Sequence, residues 1–465
     1  MREDRYKNPE TDLVKICKDA ASKIEKGAVD EFEIYAASSV QNEIKIYNGD
    51  VESLSFSDSN GIGIRVFKNK SVGYAYTEVL DEGKIRDCIE RAILNSAITS
   101  REKYNYLPKE SEFRYKRKKI DSNAIFKEDF LRFSIKDKIN IAKKLEILTK
   151  GKDRKVVNID NLVYDDSISE VAILNSSGFF NRYKTTVCII YINVISKQGE
   201  ATSTGDCFDC ARSPGDLNLE EVSAGAVKKS VSMLGGKKIK SQKVDIILDP
   251  LVSAQFLGVI AGGLTADSVQ KGKSLFRDKV GEKIFNINLD IIDDGTMASG
   301  LATSPFDGEG VPKGKTIVFK NGILNTFLYN IYTARKDSTS STGNASRASY
   351  SSPPDVGLSN FYIKPSSSTL DRLLSLVDNG FYVMDIIGLH SGANPISGEM
   401  SVGAKGLWIN KGSLEFPVKE ATIATDILSF CKSVDMIGSD LKFLPSGGYL
   451  GSPSLLVRDI MVGGS

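Results

Sequence analysis

Two carboxylates and a lone histidine are the residues of this sequence best placed for chemistry. Asp307 and Glu309 stand in the turn-forming stretch SPFDGEGVP, immediately before Gly310. Such a pair can hold an ion on a loop, although Asp and Gly are also ordinary turn residues. The only histidine, His390, precedes several small polar residues that offer hydrogen-bond partners. A binding role and a structural role therefore stay open for all three side chains.

Other familiar catalytic patterns in the sequence are incomplete. The GKS at 272–274 lacks the glycine of a phosphate loop, because Asp267 stands at that position. Cys207 and Cys210 have the spacing of a redox or zinc pair, but no second pair or nearby histidine completes a site. These patterns are best interpreted as chance matches, and they predict no cofactor.

Composition and charge exclude several classes of partner. The chain has 465 residues, 41% of them hydrophobic, with 61 basic and 59 acidic side chains and a net charge of +2. This balance provides no field for nucleic acid or an anionic membrane. The longest apolar run, near 251–264, is too short to cross a bilayer. The charged start MREDRYKNPETD does not resemble a secretory signal, so six reduced cysteines and a cytoplasmic location are expected.

The first half of the chain is predicted to contain two similar α+β modules. Residues 1–100 read as a helix, several alternating strands and a second helix. The polar stretch 101–117 reads as a linker, and 118–235 repeats the helix–strands–helix plan. A local similarity between VESLSFSDSNG and ISEVAILNSSG supports the interpretation as a duplication.

The remaining block, 236–465, is predicted to be a β-rich, glycine-rich α+β domain. It contains a buried-type strand VDIILD, a helix starting at Pro250, and a hairpin that turns at Asn321-Gly322. No parallel β–α–β alternation is evident. The fold class is therefore α+β: duplicated helix–antiparallel-sheet–helix modules followed by this C-terminal domain.

Four stretches of the last block together resemble the TldD/PmbA family, and within it the PmbA branch, also called TldE. They are SPFDGEGVPKGKT at 304–316, STSSTGNASR at 338–347, HSGANPISGEMSVGAKGLWINKG at 390–412 and GSPSLLVRDIMVGG at 451–464. The resemblance extends over nearly the whole chain. It implies a cytoplasmic peptidase complex in which TldD-type chains carry an HExxxH helix with a metal ion, PmbA-type chains pair with them, and short or unfolded peptides are cleaved.

The sequence departs from the catalytic branch at the metal motif. The shared KGKSLF at 271–276 places the HExxxH positions on Leu257–Gly262, where no side chain binds metal. The resemblance therefore implies a non-catalytic subunit, without a cofactor of its own, that forms a homo- or heterodimer and whose TldD-type partner holds the zinc. No residue is assigned a catalytic role. The residues expected to face peptide or partner are Asp307, Glu309, Gly310, Asn344, His390, Ser391, Asn394 and Ser401.

Two further hypotheses stay open. Members of this family are often labelled as modulators of DNA gyrase, so the chain could be a regulatory module that binds another protein. Alternatively, Asp307 and Glu309 could serve a stand-alone hydrolase with a bound ion.

Overall fold

The first sheet joins the two N-terminal units in one antiparallel layer. The computed structural model describes residues 12–118, 120–298 and 300–464. Six strands run in the order β3-β2-β1-β4-β5-β6, with β1 and β4 adjacent at the centre. Their bounds are β1 (Glu31–Tyr47), β2 (Asp50–Lys68), β3 (Ser71–Thr77), β4 (Val156–Asn175), β5 (Phe180–Gln198) and β6 (Ala201–Ala211).

Helices flank the strands of each unit in the same order, which confirms the predicted duplication. The helices of this half are α1 (Leu13–Ser22), α2 (Glu82–Ile98), α3 (Ser122–Ile125), α4 (Ile135–Lys150) and α5 (Leu219–Ser232). Along the chain, α1 precedes and α2 follows the first three strands. In the same way, α4 precedes and α5 follows the next three. Apolar side chains of the helices and strands form two buried clusters, one for each unit. Alternation along the strands produces one buried face, as a half-covered sheet requires.

The sequence similarity that suggested the duplication does not join equivalent strands. VESLSFSDSNG lies inside β2, whereas ISEVAILNSSG ends β4, whose counterpart is β1. Alternating serines followed by glycine are common in strands and turns, so the match was generic although the duplication is real.

The polar stretch 101–117 lies against the C-terminal region. It contains a short 3₁₀ helix, Glu110–Glu112, and its backbone is bound by Arg335. The predicted domain boundaries on either side of it stay predictions.

The C-terminal region contains two larger sheets and a small hairpin-like pair. Its strands are β7 (Gln242–Leu248), β8 (Ile291–Asp294), β9 (Lys315–Lys320), β10 (Ile323–Leu324), β11 (Ala345–Ser346), β12 (Asp355–Val356), β13 (Asn360–Ile363), β14 (Asn379–Ile387), β15 (Glu399–Asn410), β16 (Ser413–Asp426), β17 (Val434–Ile437), β18 (Lys442–Pro445), β19 (Tyr449–Ser452) and β20 (Leu455–Gly463). Its helices are α6 (Pro250–Gly262), α7 (Ala266–Gln270), α8 (Ile331–Lys336), α9 (Leu370–Leu374), α10 (Leu389–Gly392) and α11 (Ile427–Ser433).

One of these sheets closes on itself. Its order is β16-β15-β14-β7-β20-β17, and an additional pairing of β16 with β20 closes five of these strands into a small barrel, with β17 paired to β20 outside the ring. The other sheet runs β10-β9-β8-β13-β19-β18, so β18 forms one of its edges.

Two strand pairs of the C-terminal region, β7 with β14 and β13 with β19, are parallel. Nothing in the sequence pattern indicated these long-range parallel contacts, because local periodicity does not encode strand partners. Together these elements confirm the predicted fold class.

None of the helices in the described ranges has the length and apolar character required to span a membrane.

The predicted turn at Asn321-Gly322 is confirmed between β9 and β10, with φ of 51° and 78°. A Cβ on Gly322 would lie 2.3 Å from the Phe285 carbonyl oxygen.

We expect Gly322→Ala to lower the free energy of unfolding by about 2 kcal/mol, from backbone strain and overpacking together. Urea unfolding measures this. Gly49→Ala is the matched control, because Gly49 has a φ of 85° and open space around its Cβ position; an equal loss there would contradict the close-approach argument.

Candidate functional site

Helix α6 lines a large cleft with mostly apolar walls. Its sequence begins with Asp249, whose Oδ1 accepts the Leu251 N–H, and with Pro250 at the first helical position, where a missing N–H costs nothing. Apolar residues surround the helix, and eight of its side chains are buried. A helix buried on most sides is held rigidly, so it can present a fixed surface to a ligand.

The cleft has a volume of about 880 Å³ and lies between α6, the loop around α10 and the β18–β19 hairpin. Aliphatic and glycine residues dominate its walls. Those used below are Gly258, Val259 and Gly262 of α6, Leu389 and His390 of α10, and Leu444 of β18. No Asp, Glu, Lys or Arg is among its lining residues in the described part of the chain. A large concave apolar site with a few polar groups is the usual form of a binding pocket.

The positions to which the resemblance assigns HExxxH lie on the C-terminal half of α6, beside this cleft. Gly258, Val259, Ala261 and Gly262 of this stretch line it. Zinc requires nitrogen, sulfur or carboxylate ligands, and these residues supply none. Across residues 12–118, 120–298 and 300–464, no group of three His, Cys, Asp or Glu side chains is placed to hold a metal ion. The residues present therefore do not fit the catalytic zinc of the family.

The histidine predicted from sequence does line the cleft. His390 is exposed on α10, which begins after Gly388 with a φ of 79°. Ser391 Oγ donates to the Gly388 carbonyl, and Asn394 Oδ1 accepts the N–H groups of the two residues that follow Pro395. Ser391 and Asn394 thus shape the loop that carries His390. Ser401 lies nearby on β15, exposed, and pairs with Ala424.

Asp307 and Glu309 occupy a different place, at the contact between the first sheet and the C-terminal region. Both side chains are 4% exposed. Glu309 Oε1 accepts from Arg65 Nη1 at 3.1 Å, and its Oε2 accepts the Ile331 N–H at the start of α8. Arg65 also donates to Glu33, which in turn binds Arg347. We call Glu33, Arg65, Glu309 and Arg347 the charge network.

Asp307 is held by backbone rather than by cations. Its Oδ1 accepts the N–H groups of Glu309 and Val311, and its Oδ2 accepts that of Ala345. Burial and the nearby Glu309 charge raise the pKa of Asp307 to about 7, against the effect of these three N–H donors. The carboxyl group therefore holds the turn at residues 307–311, which precedes β9, and joins it to Ala345.

The two remaining predicted residues also have structural contacts. Gly310 has a φ of 77°, and its carbonyl accepts from Arg117 Nη1. Asn344 is 2% exposed; its Nδ2 donates to Asp293 Oδ2 at 2.8 Å and to the Gly357 carbonyl.

The structure therefore separates the eight predicted residues into two groups instead of bringing them into one chamber. Asp307, Glu309 and Gly310 are buried at the contact between the first sheet and the C-terminal region, and Asn344 is buried within the C-terminal region. His390, Ser391, Asn394 and Ser401 surround the loop near the cleft, and only His390 of these lines it. Their binding roles stay predictions.

Sequence reasoning missed the α6 surface and the charge network. The register set by KGKSLF had already indicated Leu257–Gly262, but only as the stretch where the metal-binding motif is missing. Glu33 and Arg65 are directly opposite in the β1–β2 ladder, a relation visible only once the strands are paired.

Comparisons with known proteins agree across the whole chain. The PmbA/TldA metallopeptidase models match as domain 1 (residues 32–96), central domain (128–234) and C-terminal domain (241–464). A metalloprotease PmbA homolog of Buchnera aphidicola (from Acyrthosiphon pisum) is 26% identical over 98% of each chain.

Two solved structures are similar in fold. A Thermotoga maritima structure, labelled as a candidate modulator of a DNA gyrase, has a TM-score of 0.86 and 27% identity, covering 97% of this chain and 100% of its own. TldE from Thermococcus kodakarensis has a TM-score of 0.86 at 22% identity, with the same coverage. Matches to all three domain models extend over most of the described chain, in the order of its structural units. The chain belongs to the PmbA/TldD family, as its resemblance to the PmbA/TldE branch predicted.

Proposed function

We propose that this chain is a non-catalytic, PmbA/TldE-like subunit of a cytoplasmic TldD/PmbA-type peptidase complex. The observation that carries the proposal is the surface of α6: of the positions that the resemblance assigns to the metal motif, those that line the cleft are Gly258, Val259, Ala261 and Gly262, none of which carries a metal-binding group. A water bound to zinc is the usual nucleophile of a metallopeptidase, and this helix cannot hold one. The zinc would belong to a TldD-type partner.

The cleft supports a role in binding peptide. It is bordered by β18, which pairs only with β19 among the described strands and so leaves one backbone edge available. An exposed strand edge can bind an extended peptide through main-chain hydrogen bonds, which permits low sequence specificity. The cleft and this edge suit short or unfolded peptides better than a folded protein.

The isolated chain is expected to contain far less than one zinc per molecule and to hydrolyse no peptide. Mixed with a TldD-type subunit from the same source, it should co-purify with that subunit, and peptide hydrolysis should appear. Metal analysis, size-exclusion chromatography and cleavage of a casein-derived peptide pool measure the three properties. The TldD-type subunit alone is the matched control.

Stoichiometric zinc with hydrolysis by the isolated chain would overturn the non-catalytic assignment. Failure to co-purify would overturn the subunit assignment instead. The hydrolase alternative based on Asp307 and Glu309 gains no support, because Asp307 binds three backbone N–H groups and Glu309 binds Arg65 and Ile331. No specific contact favours the gyrase-modulator alternative.

A further inference from the structure

We propose that the α6 surface of the cleft is a selective pocket for a bulky, uncharged apolar side chain of a bound peptide. This inference rests on the proposed peptide-binding function and specifies which peptides the site takes.

The shape of the pocket follows from the spacing of two glycines. Gly258 and Gly262 are four residues apart on α6, so they lie on the same face of the helix, and both line the cleft. A Cβ at Gly262 would have no atom within 4 Å, and one at Gly258 would meet only the Leu450 side chain, at 2.9 Å. The helix face is therefore open at Gly262, whereas the Leu450 side chain packs against Gly258 and closes the groove there.

The walls of this groove are aliphatic. Val259 adjoins the glycines on α6, Leu389 lies across the cleft on α10, and Leu444 and Leu450 contribute from the β18–β19 hairpin. Transfer of a leucine- or phenylalanine-sized side chain from water to such a surface is favourable by the hydrophobic effect. An alanine side chain would leave most of the groove unfilled.

Charge determines what the pocket rejects. Its lining includes no acidic residue, lysine or arginine in the described ranges, so a charged peptide side chain would lose water without gaining a counter-ion. By contrast, an adjacent cavity of about 710 Å³, which shares Val356 and Gly357 with the cleft, is lined by Arg65, Asp267 and Lys271 among others. Discrimination against charge is thus a property of the α6 cleft and not of every cavity in the chain.

The test uses blocked, fluorescein-labelled hexapeptides built from Gly and Ser, with Phe, Leu, Ala, Glu or Lys at one central position. Fluorescence anisotropy gives the dissociation constant for the full chain, alone and with a TldD-type subunit. We expect Phe and Leu peptides to bind about 10- to 100-fold more tightly than the Ala peptide. Glu and Lys peptides should bind more weakly than Ala.

Gly262→Leu provides the decisive variant, because its side chain would fill the groove while leucine favours the helix. The Phe-to-Ala ratio should fall to about 1, and Gly262→Ala should reduce it only in part, which also covers the case in which the leucine variant does not fold. Gly83→Leu is the matched control: Gly83 is an exposed glycine of α2, far along the chain from the cleft, and its variant should retain the ratio.

Equal binding of Phe and Ala peptides, tighter binding of Glu or Lys peptides, or an unchanged ratio in Gly262→Leu would each overturn the inference. Disappearance of the preference once the TldD-type subunit is added would also overturn it, because the partner would then cover the pocket. If all peptides bind equally while the two-chain mixture hydrolyses them, the proposed function stands and the pocket is rejected. If the preference holds but the two chains do not associate, the pocket stands and the subunit role is rejected.

Discussion

Glu33→Gln is expected to lower the free energy of unfolding by about 3 to 5 kcal/mol, the usual cost of breaking a buried ion pair from one side. Glu33 is fully buried on β1 and accepts from both Arg65 and Arg347. The neutral amide would leave the buried guanidinium groups of Arg65 and Arg347 with less negative charge to balance their own. Guanidinium chloride unfolding followed by circular dichroism measures the change.

A second acid on the same strand provides the control. The Glu43 side chain is 39% exposed and its Oε1 lies 3.6 Å from Lys45 Nζ, so Glu43→Gln should cost less than about 1 kcal/mol. A loss in Glu33→Gln no larger than this would contradict a stabilising role for the charge network. Because Glu309 belongs to the C-terminal region, we also expect Glu33→Gln to separate the unfolding of the two regions into distinct steps.

Arg335→Met is expected to cost about 3 kcal/mol and to expose residues 101–117 to proteases. Arg335 binds Glu112 through Nε and Nη2 at 2.7 Å each, and it donates to the carbonyls of Tyr104, Tyr106 and Leu107. Its guanidinium also stacks on the Tyr106 ring. Methionine would keep part of the packing but lose every N–H donor of the guanidinium group. Lysine would not replace it either, because an ammonium group lacks the planar arrangement of donors.

Acid should reduce the cost of this substitution. Burial opposes ionisation of Glu112, but hydrogen bonds from Arg335 and from the Lys109 backbone outweigh it, and the pKa of Glu112 is lowered. Its stabilising effect is therefore complete above the unfolded pKa of about 4.3 and is lost as the pH falls through the lower folded value. Urea unfolding of the unmodified chain and of Arg335→Met at several pH values measures how the cost of the substitution changes with pH. Lys336→Met, at the exposed next position, is the control and should change stability by less than about 1 kcal/mol; an equal effect would contradict the role of the Arg335 fork.

Local signals in the sequence were sufficient for many elements of the fold. Pro250 after a short buried strand identified α6, and Asn321-Gly322 identified the β9–β10 turn, because each depends on the backbone preferences of one or two residues. The alternation of β1 and β4 predicted strands, but not that they pair with each other across the intervening stretch. That pairing depends on partners about 130 residues apart, which local periodicity does not specify.

The candidate site was less predictable for the same reason. Asp307 and Glu309 looked like surface groups of a glycine-rich turn, yet they are buried because backbone N–H groups and Arg65 satisfy them. The cleft brings α6, which ends at Gly262, together with α10 and the β18–β19 hairpin, which begin only at Leu389 and Lys442. Of the eight residues predicted to face peptide or partner, only His390 lines the cleft.

The closed barrel has a consequence for the order of events during protein synthesis. Strand β20 pairs with β7, β16 and β17, and its contact with β16 closes the ring. The first sheet ends at Ala211, so both N-terminal units can fold while the ribosome is still translating the rest. β7, by contrast, must wait for about 200 further residues before its partner β20 emerges. Until then β7 has one unpaired backbone edge, and an unpaired strand edge in a partly folded chain favours aggregation.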